Sequence, residues 1–350
     1  MNFSRHHGGD IYDKPQTDLL DFSANINPFG LPLTVIQAAQ QAVLNADVYP
    51  DPEVQKLTDA ISDTCRISSS YVAFSNGACE LIFRLAQTLR TGTALIPAPA
   101  FSEYEQAFFA AGTHILHIPL LEEDRFHLTR SIFPLLSQKP DVLVLCNPNN
   151  PTGHTIAPAL ITEILDVCRQ QNTFVLLDEC FIDFLDDPHL HTQRHRIETD
   201  PNLMILNAFT KIYAMPGLRL GYAFTSNTAL LDKMNEISQP WGVSQVAQAA
   251  GLAALKEIDY VQKSRAHISG ERPWLMEQLS RCGVQVVGGE ANYLFFKTHL
   301  PDLKELLLQE NILIRSCANY NGLTQFYYRV SVRLRHQNEQ LLQALSKTLI

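Results

Sequence analysis

The feature that most constrains the fold is a series of short apolar segments, separated by helical segments, between residues 71 and 209. Two of them, DVLVLCNP and TFVLLDE, begin with almost continuous apolar runs. Such strands alternating with helices predict an α/β fold with a mostly parallel sheet covered by helices on both faces. The predicted strands are 71–76, 93–99, 113–120, 141–148, 173–179 and 202–209.

The C-terminal part of the chain alternates differently and indicates a smaller α+β domain. Its predicted strands are 284–289, 291–297, 312–316 and 326–333, with helices at 301–310 and 336–348. Near the N-terminus we predict helices at 34–45 and 52–65, the second capped by Asp51. The predicted domains are a large one, 41–235, and a small one, 1–40 and 236–350, which includes an N-terminal arm.

Composition and charge exclude several classes of partner. The chain has 350 residues, 46% of them hydrophobic and 18% charged, which is typical of a globular protein. Its net charge of −9 argues against nucleic acid, because binding a phosphate backbone requires a basic surface. We expect no membrane partner, because no apolar run approaches the length of a membrane span and the N-terminus has no secretory signal. The seven cysteines form no C-x-x-C pair, so we expect a cytoplasmic protein.

Residues 207–222, NAFTKIYAMPGLRLGY, combine groups that suit a specific cofactor. Lys211 lies among apolar residues, where desolvation favours the neutral, nucleophilic amine that forms a Schiff base. The Thr210 hydroxyl and the Arg219 guanidinium suit a phosphate. Pyridoxal phosphate (PLP) presents one aldehyde and one phosphate, so the segment could hold both ends of it. A surface lysine and arginine beside a turn are the alternative.

Other candidate residues follow the predicted strands, where sites of parallel sheets lie. Asp178 ends an apolar strand and needs a cation or donors, such as the ring nitrogen of PLP; a helix cap or a structural ion pair is the alternative. Asn150 lies in CNPNNPTG, whose prolines make the turn rigid. Gly77 links a strand to a helix whose first amides could bind phosphate. Phe101 could cover the cofactor ring or simply belong to the core.

Two arginines interrupt apolar strand patterns in the C-terminal part. Arg315 and Arg329 are costly there without an anion, so we predict that they bind carboxylate or phosphate. Arg333, by contrast, is interpreted as a surface residue. The segment HLHTQRH, residues 189–195, lacks the cysteine or carboxylate partners of a metal site, and we predict a solvated loop and no bound metal.

The order of these residues resembles the fold-type I PLP enzymes, in the branch that contains the histidinol-phosphate aminotransferases. The resemblance spans nearly the whole chain and implies the PLP-dependent transferase fold of type I. It implies that Lys211 binds the cofactor aldehyde, that Asp178 pairs with the ring nitrogen and that Asn150 bonds the phenolic oxygen. The cofactor phosphate would be held at the start of the helix after Gly77 and by the Lys211 segment, through Ala78, Cys79, Thr210 and Arg219.

The resemblance also implies a homodimer with shared active sites. Tyr49-Pro50 matches a Tyr-Pro pair whose tyrosine reaches the cofactor phosphate of the neighbouring subunit. Arg329 matches the arginine that binds the substrate carboxylate. One departure is Phe181, because the aminotransferases usually have a tyrosine at this position, and its hydroxyl also bonds the phenolic oxygen.

Several strings resemble more closely the threonine-phosphate decarboxylases of cobalamin biosynthesis. They are HGG (7–9), LDFSANINPFGLP (20–32), DECFIDF (178–184), TKIYAMPGLRLGY (210–222) and ILIRSCANYNGL (312–323). This resemblance implies loss of CO2 from a phosphorylated amino acid, with Lys211 and Asp178 as catalytic residues. We predict that the substrate contacts Gly8, Gly9 and Asn150, that His7 and Arg315 engage its phosphate, and that Arg329 positions its carboxylate.

Three alternatives remain open at this stage. The first is a decarboxylase that prefers serine phosphate, since one methyl group changes binding by only ~1–3 kcal/mol. The second is a histidinol-phosphate-type aminotransferase, and the third is a protein of the same fold without turnover.

Overall fold

The computed structural model describes residues 7–12 and 18–349. In this part of the chain, no helix combines the length and apolar character required to cross a membrane. The predicted strands and helices are largely confirmed, and they form one large sheet, one smaller sheet and a two-stranded ladder.

The large sheet has seven strands and is mostly parallel, as predicted. Its order is β2-β8-β7-β6-β5-β3-β4, and only β8 runs antiparallel to its neighbours. The strands are β2 (Val72–Ser75), β3 (Thr93–Ala98), β4 (His114–Pro119), β5 (Val142–Cys146), β6 (Phe174–Asp178), β7 (Leu203–Ala208) and β8 (Gly221–Phe224). Every residue of β5, β6 and β7 is buried, as in a sheet covered on both faces.

The smaller sheet is antiparallel, with the order β12-β13-β10-β9. A separate ladder pairs β1 near the N-terminus with β11, so the start of the described chain joins its C-terminal part. These strands are β1 (Leu20–Asp21), β9 (Gln285–Gly288), β10 (Tyr293–Lys297), β11 (Ile312–Leu313), β12 (Arg315–Ser316) and β13 (Tyr327–Ser331).

Helices cover the sheets and carry several of the candidate site residues at their ends. They are α1 (Leu33–Val43), α2 (Gln55–Cys65), α3 (Ala78–Leu89), α4 (Ser102–Ala110), α5 (Ile132–Leu136), α6 (Pro158–Gln171), α7 (Pro188–His191), α8 (Phe209–Ile212), α9 (Thr228–Glu236), α10 (Gln245–Ala254), α11 (Ile258–Arg281), α12 (Leu303–Gln309) and α13 (Arg335–Thr348). The ends of α6 follow from local sequence signals. Pro158 fits the first position of the helix, and Asn172, in the left-handed region, ends it.

Four local predictions need correction. The helix predicted from residue 52 begins at Gln55, although the Asp51 carboxylate still accepts the Gln55 amide at 2.8 Å. β8 was not predicted, because its four residues stand between turn signals. Residues 189–195 are only partly a solvated loop: His189 and His195 are exposed, but Gln193 is buried and its backbone amide donates to the buried Glu179 carboxylate at 2.8 Å. Arg333 is half-buried and donates to Asp21 O at 2.7 Å, so it is not a free surface residue.

The exact bounds of the two domains remain a prediction. Val35 of α1 and Ala247 of α10 belong to the core cluster that also contains Val175 and Leu177 of the large sheet. The core of the small sheet is a separate cluster, formed by residues such as Leu294 and Val330. Because α1 and α10 pack on the large sheet, they favour a large domain that includes both helices.

Candidate active site

The carboxyl ends of the parallel strands meet at one edge of the large sheet and surround a cavity. This edge is where sites form in α/β folds. Because β8 runs in the opposite direction, its first residue lies at the same edge, which brings the preceding Arg219 to the cavity. Of the predicted site residues, Ala78, Cys79, Phe101, Asn150, Asp178, Thr210, Lys211 and Arg219 line this one cavity.

Lys211 lies in the short helix α8, directly after β7, and its amine is in an unusual environment. Burial, followed by repulsion from Arg329, lowers its pKa from 10.5 to about 8. The amine lies 5.3 Å from the centre of the Phe181 ring. The backbone of α8 is held by Asn27, whose side-chain amide donates to Ile212 O at 2.7 Å. The lysine is therefore fixed in place and close to the neutral state that a Schiff base requires.

Asp178 ends β6 and is buried without a cation beside it. Its Oδ2 accepts the Tyr104 hydroxyl at 2.6 Å, and its Oδ1 accepts the Cys180 amide at 2.9 Å. Among residues 7–12 and 18–349, no ion pair includes Asp178. A buried carboxylate held by two neutral donors suits a cationic ring nitrogen in the cavity.

The start of α3 and Arg219 form a cradle for an anion. Gly77 has φ +87°, and a Cβ on it would lie 2.3 Å from Arg219 Nη2, so only glycine lets the guanidinium approach. The first amides of α3, on Ala78 and Cys79, have no acceptor within the helix. Amides and a guanidinium at the same place are the donors that a phosphate requires.

Asn150 and Arg329 are joined by a buried hydrogen-bond network. Arg329 Nη1 donates to Asn150 Oδ1, and Arg329 Nη2 donates to Ser23 O at 2.8 Å. The Tyr320 hydroxyl also contacts Asn150 Oδ1, at 3.4 Å. This arrangement leaves the NH2 end of Asn150 to donate to an oxygen in the cavity. Arg329 Nε is buried and finds no acceptor in the described part of the chain, which suits an anionic ligand.

Arg315 lies at the other end of the same network. Its guanidinium donates to Asn319 Oδ1 at 2.8 Å and stands 5.4 Å from the centre of the Tyr320 ring. Arg315 and Arg329 pair directly across β12 and β13, so both cations lie on neighbouring strands. Neither residue lines the cavity around Lys211, but Tyr320 and Asn150 connect them to it.

Two groups of predicted residues lie apart from the cavity. His7 lies at the start of α4, where its ring stands 6.0 Å from the Phe101 ring, and Gly8 and Gly9 lie against Ser23 and Ala24. Tyr49 is 74% exposed, and its ring stacks on the Trp241 ring with 4.5 Å between the ring centres. Tyr49 therefore does not contribute to the cavity of its own chain.

Phe181 is buried at the position where the resemblance of the sequence implied a tyrosine. Its ring packs edge-on against Tyr293 at 5.0 Å and faces Lys211. No hydroxyl is available from this position, so the phenolic oxygen of a bound cofactor would lose one donor. Asn150 remains as a donor on this side of the cavity.

Sequence reasoning did not find Tyr104, Ser23, Tyr320 and Glu103. Tyr104 and Glu103 lie in the first turn of α4, one turn after Phe101, and nothing in the local pattern separates them from other helix residues. Ser23 lies in the LDFSANINPFGLP string, but nothing local reveals that its carbonyl oxygen accepts Arg329 or that its hydroxyl accepts the Gly9 amide. Tyr320 lies in the IRSCANY string, and this was the only available signal.

The structure gives no indication of a metal centre within residues 7–12 and 18–349. No group of three or more His, Cys, Asp or Glu side chains there is arranged to hold an ion. The cavity instead offers an amine, a carboxylate and phosphate donors, the set that PLP requires.

Comparison with known proteins agrees with this description. The sequence profile of the class I and II aminotransferases matches residues 17–347. The chain is 37% identical to threonine-phosphate decarboxylase of Salmonella typhimurium, over 99% of this chain and 97% of that protein.

Solved structures share the fold over almost the whole chain. The histidinol-phosphate aminotransferase of Clostridium acetobutylicum superposes with a TM-score of 0.88 at 29% identity, covering 95% of this chain and 99% of that one. The histidinol-phosphate aminotransferase of Sinorhizobium meliloti, solved with pyridoxal-5'-phosphate, superposes with a TM-score of 0.82 at 20% identity, covering 93% and 89%. The chain belongs to the class I and II aminotransferase family.

Proposed function

We propose that this protein is a PLP-dependent carboxy-lyase that converts L-threonine O-3-phosphate to (R)-1-amino-2-propanol O-2-phosphate and CO2. The observation that carries the proposal is the single cavity that unites Lys211, Asp178, Asn150 and Arg219. The choice of reaction is supported by the 37% identity to a threonine-phosphate decarboxylase, which exceeds the 32% identity to the histidinol-phosphate aminotransferase of Anaeromyxobacter.

The residues of the cavity fit PLP group by group. Lys211 would bind the aldehyde, Asp178 the ring nitrogen and Asn150 the phenolic oxygen. Thr210, Arg219 and the first amides of α3, on Ala78 and Cys79, would hold the phosphate, and Gly77 would give these groups room to approach. Phe101 would cover one face of the ring. Bound PLP supplies an electron sink for the pair released when a bond at the substrate Cα breaks.

The reaction requires the protein to orient one bond of the substrate. The bond that breaks must stand perpendicular to the cofactor ring, so a decarboxylase has to hold the Cα–carboxylate bond in that direction. We propose that Arg329 binds the carboxylate, because its Nε is buried without an acceptor in the described chain and its other nitrogens are fixed by Asn150 and Ser23. His7 and Arg315 would bind the substrate phosphate, with Gly8 and Gly9 placing His7.

Lys211 also suits the proton transfer that completes the reaction. When CO2 leaves, Cα must receive one proton, and an amine with a pKa of about 8 can both hold and release it near neutral pH. Phe181 beside the amine excludes water, which limits competing proton transfer.

The protein is proposed to act as a homodimer with shared active sites. Tyr49 and Trp241 form an exposed aromatic pair, and Val43, Leu44 and Val48 are exposed beside it in sequence. Exposed apolar side chains of this kind indicate a contact surface. From this surface, Tyr49 would reach the cofactor phosphate of the neighbouring subunit, since it does not serve the cavity of its own chain.

We place the enzyme in the cytoplasm, in the assembly of cobalamin. All seven cysteines are free, as expected in a reducing compartment. The product carries an amine and a phosphate on adjacent carbons, the linker that the cobamide nucleotide loop requires. This placement rests on the sequence strings that resemble the decarboxylases of cobalamin biosynthesis.

The test is incubation of the purified PLP-loaded enzyme with threonine phosphate, with CO2 release and product mass as readouts. We expect one CO2 for each aminopropanol phosphate formed, without any requirement for a keto acid. Serine phosphate is tested beside it, and faster formation of ethanolamine phosphate would assign the enzyme to that substrate. Amino-group transfer from histidinol phosphate to 2-oxoglutarate, without CO2 release, would replace the proposal with an aminotransferase.

A further inference from the structure

The N-terminal segment that contains His7 is seated on the protein by close backbone contacts. A Cβ on Gly8 would lie 2.1 Å from Ser23 O, so this position requires glycine to approach. The Gly9 amide donates to Ser23 Oγ at 2.7 Å. The carbonyl oxygen of Ser23 in turn accepts Arg329 Nη2 at 2.8 Å. The segment is thus joined to the residue proposed to bind the substrate carboxylate.

Glu103, in the first turn of α4, holds the His7 side chain directly. Its Oε1 lies 2.6 Å from His7 Nε2, and its Oε2 accepts the Ser102 hydroxyl at 2.9 Å. The Glu103 side chain is only 12% exposed, whereas His7 is 38% exposed. The carboxylate also lies close to Cys79, which lines the cavity. Burial raises the pKa of the Cys79 thiol to about 11, and the negative charge of Glu103 is the second cause of this increase.

A buried carboxylate beside a site for anionic groups needs an explanation. Left unpaired, it would repel the phosphate and carboxylate of the substrate and weaken binding. Paired with His7, it fixes the orientation of the ring, because Nε2 must carry a proton to donate to it. Nδ1 is then the ring nitrogen available to another partner. A carboxylate that orients a histidine in this way is a recurring arrangement in functional sites.

We propose that Glu103 is a positioning residue that holds His7, and with it the N-terminal segment, where the substrate phosphate binds. This inference rests on the function proposed above and does not place Glu103 in contact with the substrate. A residue that acted only through its negative charge would weaken the binding of a phosphorylated substrate. A residue that positions His7 strengthens this binding, so the two roles can be told apart.

The variant Glu103→Gln tests the inference, because it keeps the size of the side chain and removes its charge. For the PLP-loaded enzyme we expect KM for threonine phosphate to rise about tenfold, the loss of one charge-assisted hydrogen bond, while kcat changes little. His7→Asn should raise KM similarly, and the double variant should add little further, since the two residues act as one unit. A lower or unchanged KM in Glu103→Gln would overturn the inference.

Glu105→Gln is the matched control on the same helix. Glu105 also pairs with a histidine, at 3.2 Å, but this histidine is His117 of β4 and not His7 of the N-terminal segment. We expect the KM of Glu105→Gln for threonine phosphate to equal that of the unchanged enzyme. An equal rise of KM in Glu103→Gln and Glu105→Gln would overturn the inference.

A second readout does not depend on turnover. Hydrogen exchange followed by mass spectrometry should show faster exchange of the Gly9 amide in Glu103→Gln than in the unchanged enzyme or Glu105→Gln. Unchanged exchange at Gly9 would show that Glu103 does not seat the segment and would reject the inference. If the unchanged enzyme releases no CO2 from threonine phosphate, the proposed function fails, and the exchange result still decides the role of Glu103.

Discussion

The two halves of the active site are built in different ways. The half proposed to bind the cofactor consists of residues at the carboxyl ends of strands of one sheet, such as Asp178 at the end of β6 and Lys211 in the short helix after β7. The half proposed to bind the substrate joins segments far apart in the chain: Arg329 contacts Ser23 and Asn150, which precede it by 306 and 179 residues. The first half depends on local motifs, and the second depends on how the small sheet packs against the large one.

This difference predicts different failures on substitution. A change in the cofactor half should remove the chemistry itself, because the groups there act on the reacting atoms. A change in the substrate half should leave the cofactor bound and reduce the use of the substrate. Single substitutions in each half separate these two outcomes.

Lys211→Ala should abolish turnover, with a loss of at least about 10³-fold, because the amine binds the cofactor and transfers the proton. The visible absorbance of the lysine-bound cofactor should disappear as well. Activity and the absorbance spectrum are the measurements, and Lys233→Ala, an exposed lysine at the end of α9, is the control. Retention of the lysine-bound absorbance in Lys211→Ala would show that another residue binds the cofactor.

Arg329→Lys should lower kcat/KM for threonine phosphate by about 10²-fold, because lysine keeps the charge but lacks the fork of donors that a carboxylate requires. The cofactor spectrum should remain, which separates this half of the site from the Lys211 half. Arg333→Lys is the control, since Arg333 contacts Asp21 O and Gln337 rather than the Asn150 network. Equal losses in both arginine variants would remove the special role of Arg329.

The stability of the cofactor-free protein should depend on pH through Lys211. Its folded pKa of about 8 lies below the ordinary 10.5, so the unfolded chain binds more protons between these values and stability rises with pH there. The cost of the buried ammonium is fully present below pH 8 and is lost above 10.5, at about 1.4 kcal/mol for each pKa unit.

Lys211→Met should therefore be more stable than the unchanged chain at pH 7, and its advantage should shrink as the pH approaches 10. Denaturant unfolding of both proteins across this range measures the difference, in which the titrating groups that do not interact with Lys211 cancel. A difference that stays constant with pH would show that the amine titrates alike in the folded and unfolded chains.

Much of the fold could be predicted because its strands carry their own signals. The apolar runs at β5 and β6 give continuous burial, and the predicted bounds differ from the observed ones by only a residue or two. β8 was missed because four residues between turns give too short a pattern, although this strand brings Arg219 to the cavity. The start of α2 was misplaced because Asp51 caps the helix across a turn rather than at its first residue.

The sequence by itself determined the parallel sheet and the residues at its carboxyl edge, because strand patterns and the motifs that follow them are local. It could not determine that Ser23 supports Arg329 and Gly9, or that Glu103 pairs with His7, because these contacts join segments with no common pattern. Which buried polar groups satisfy one another emerges only when the chain is folded, because a buried cation or carboxylate is stable only beside its partners, and these lie elsewhere in the chain.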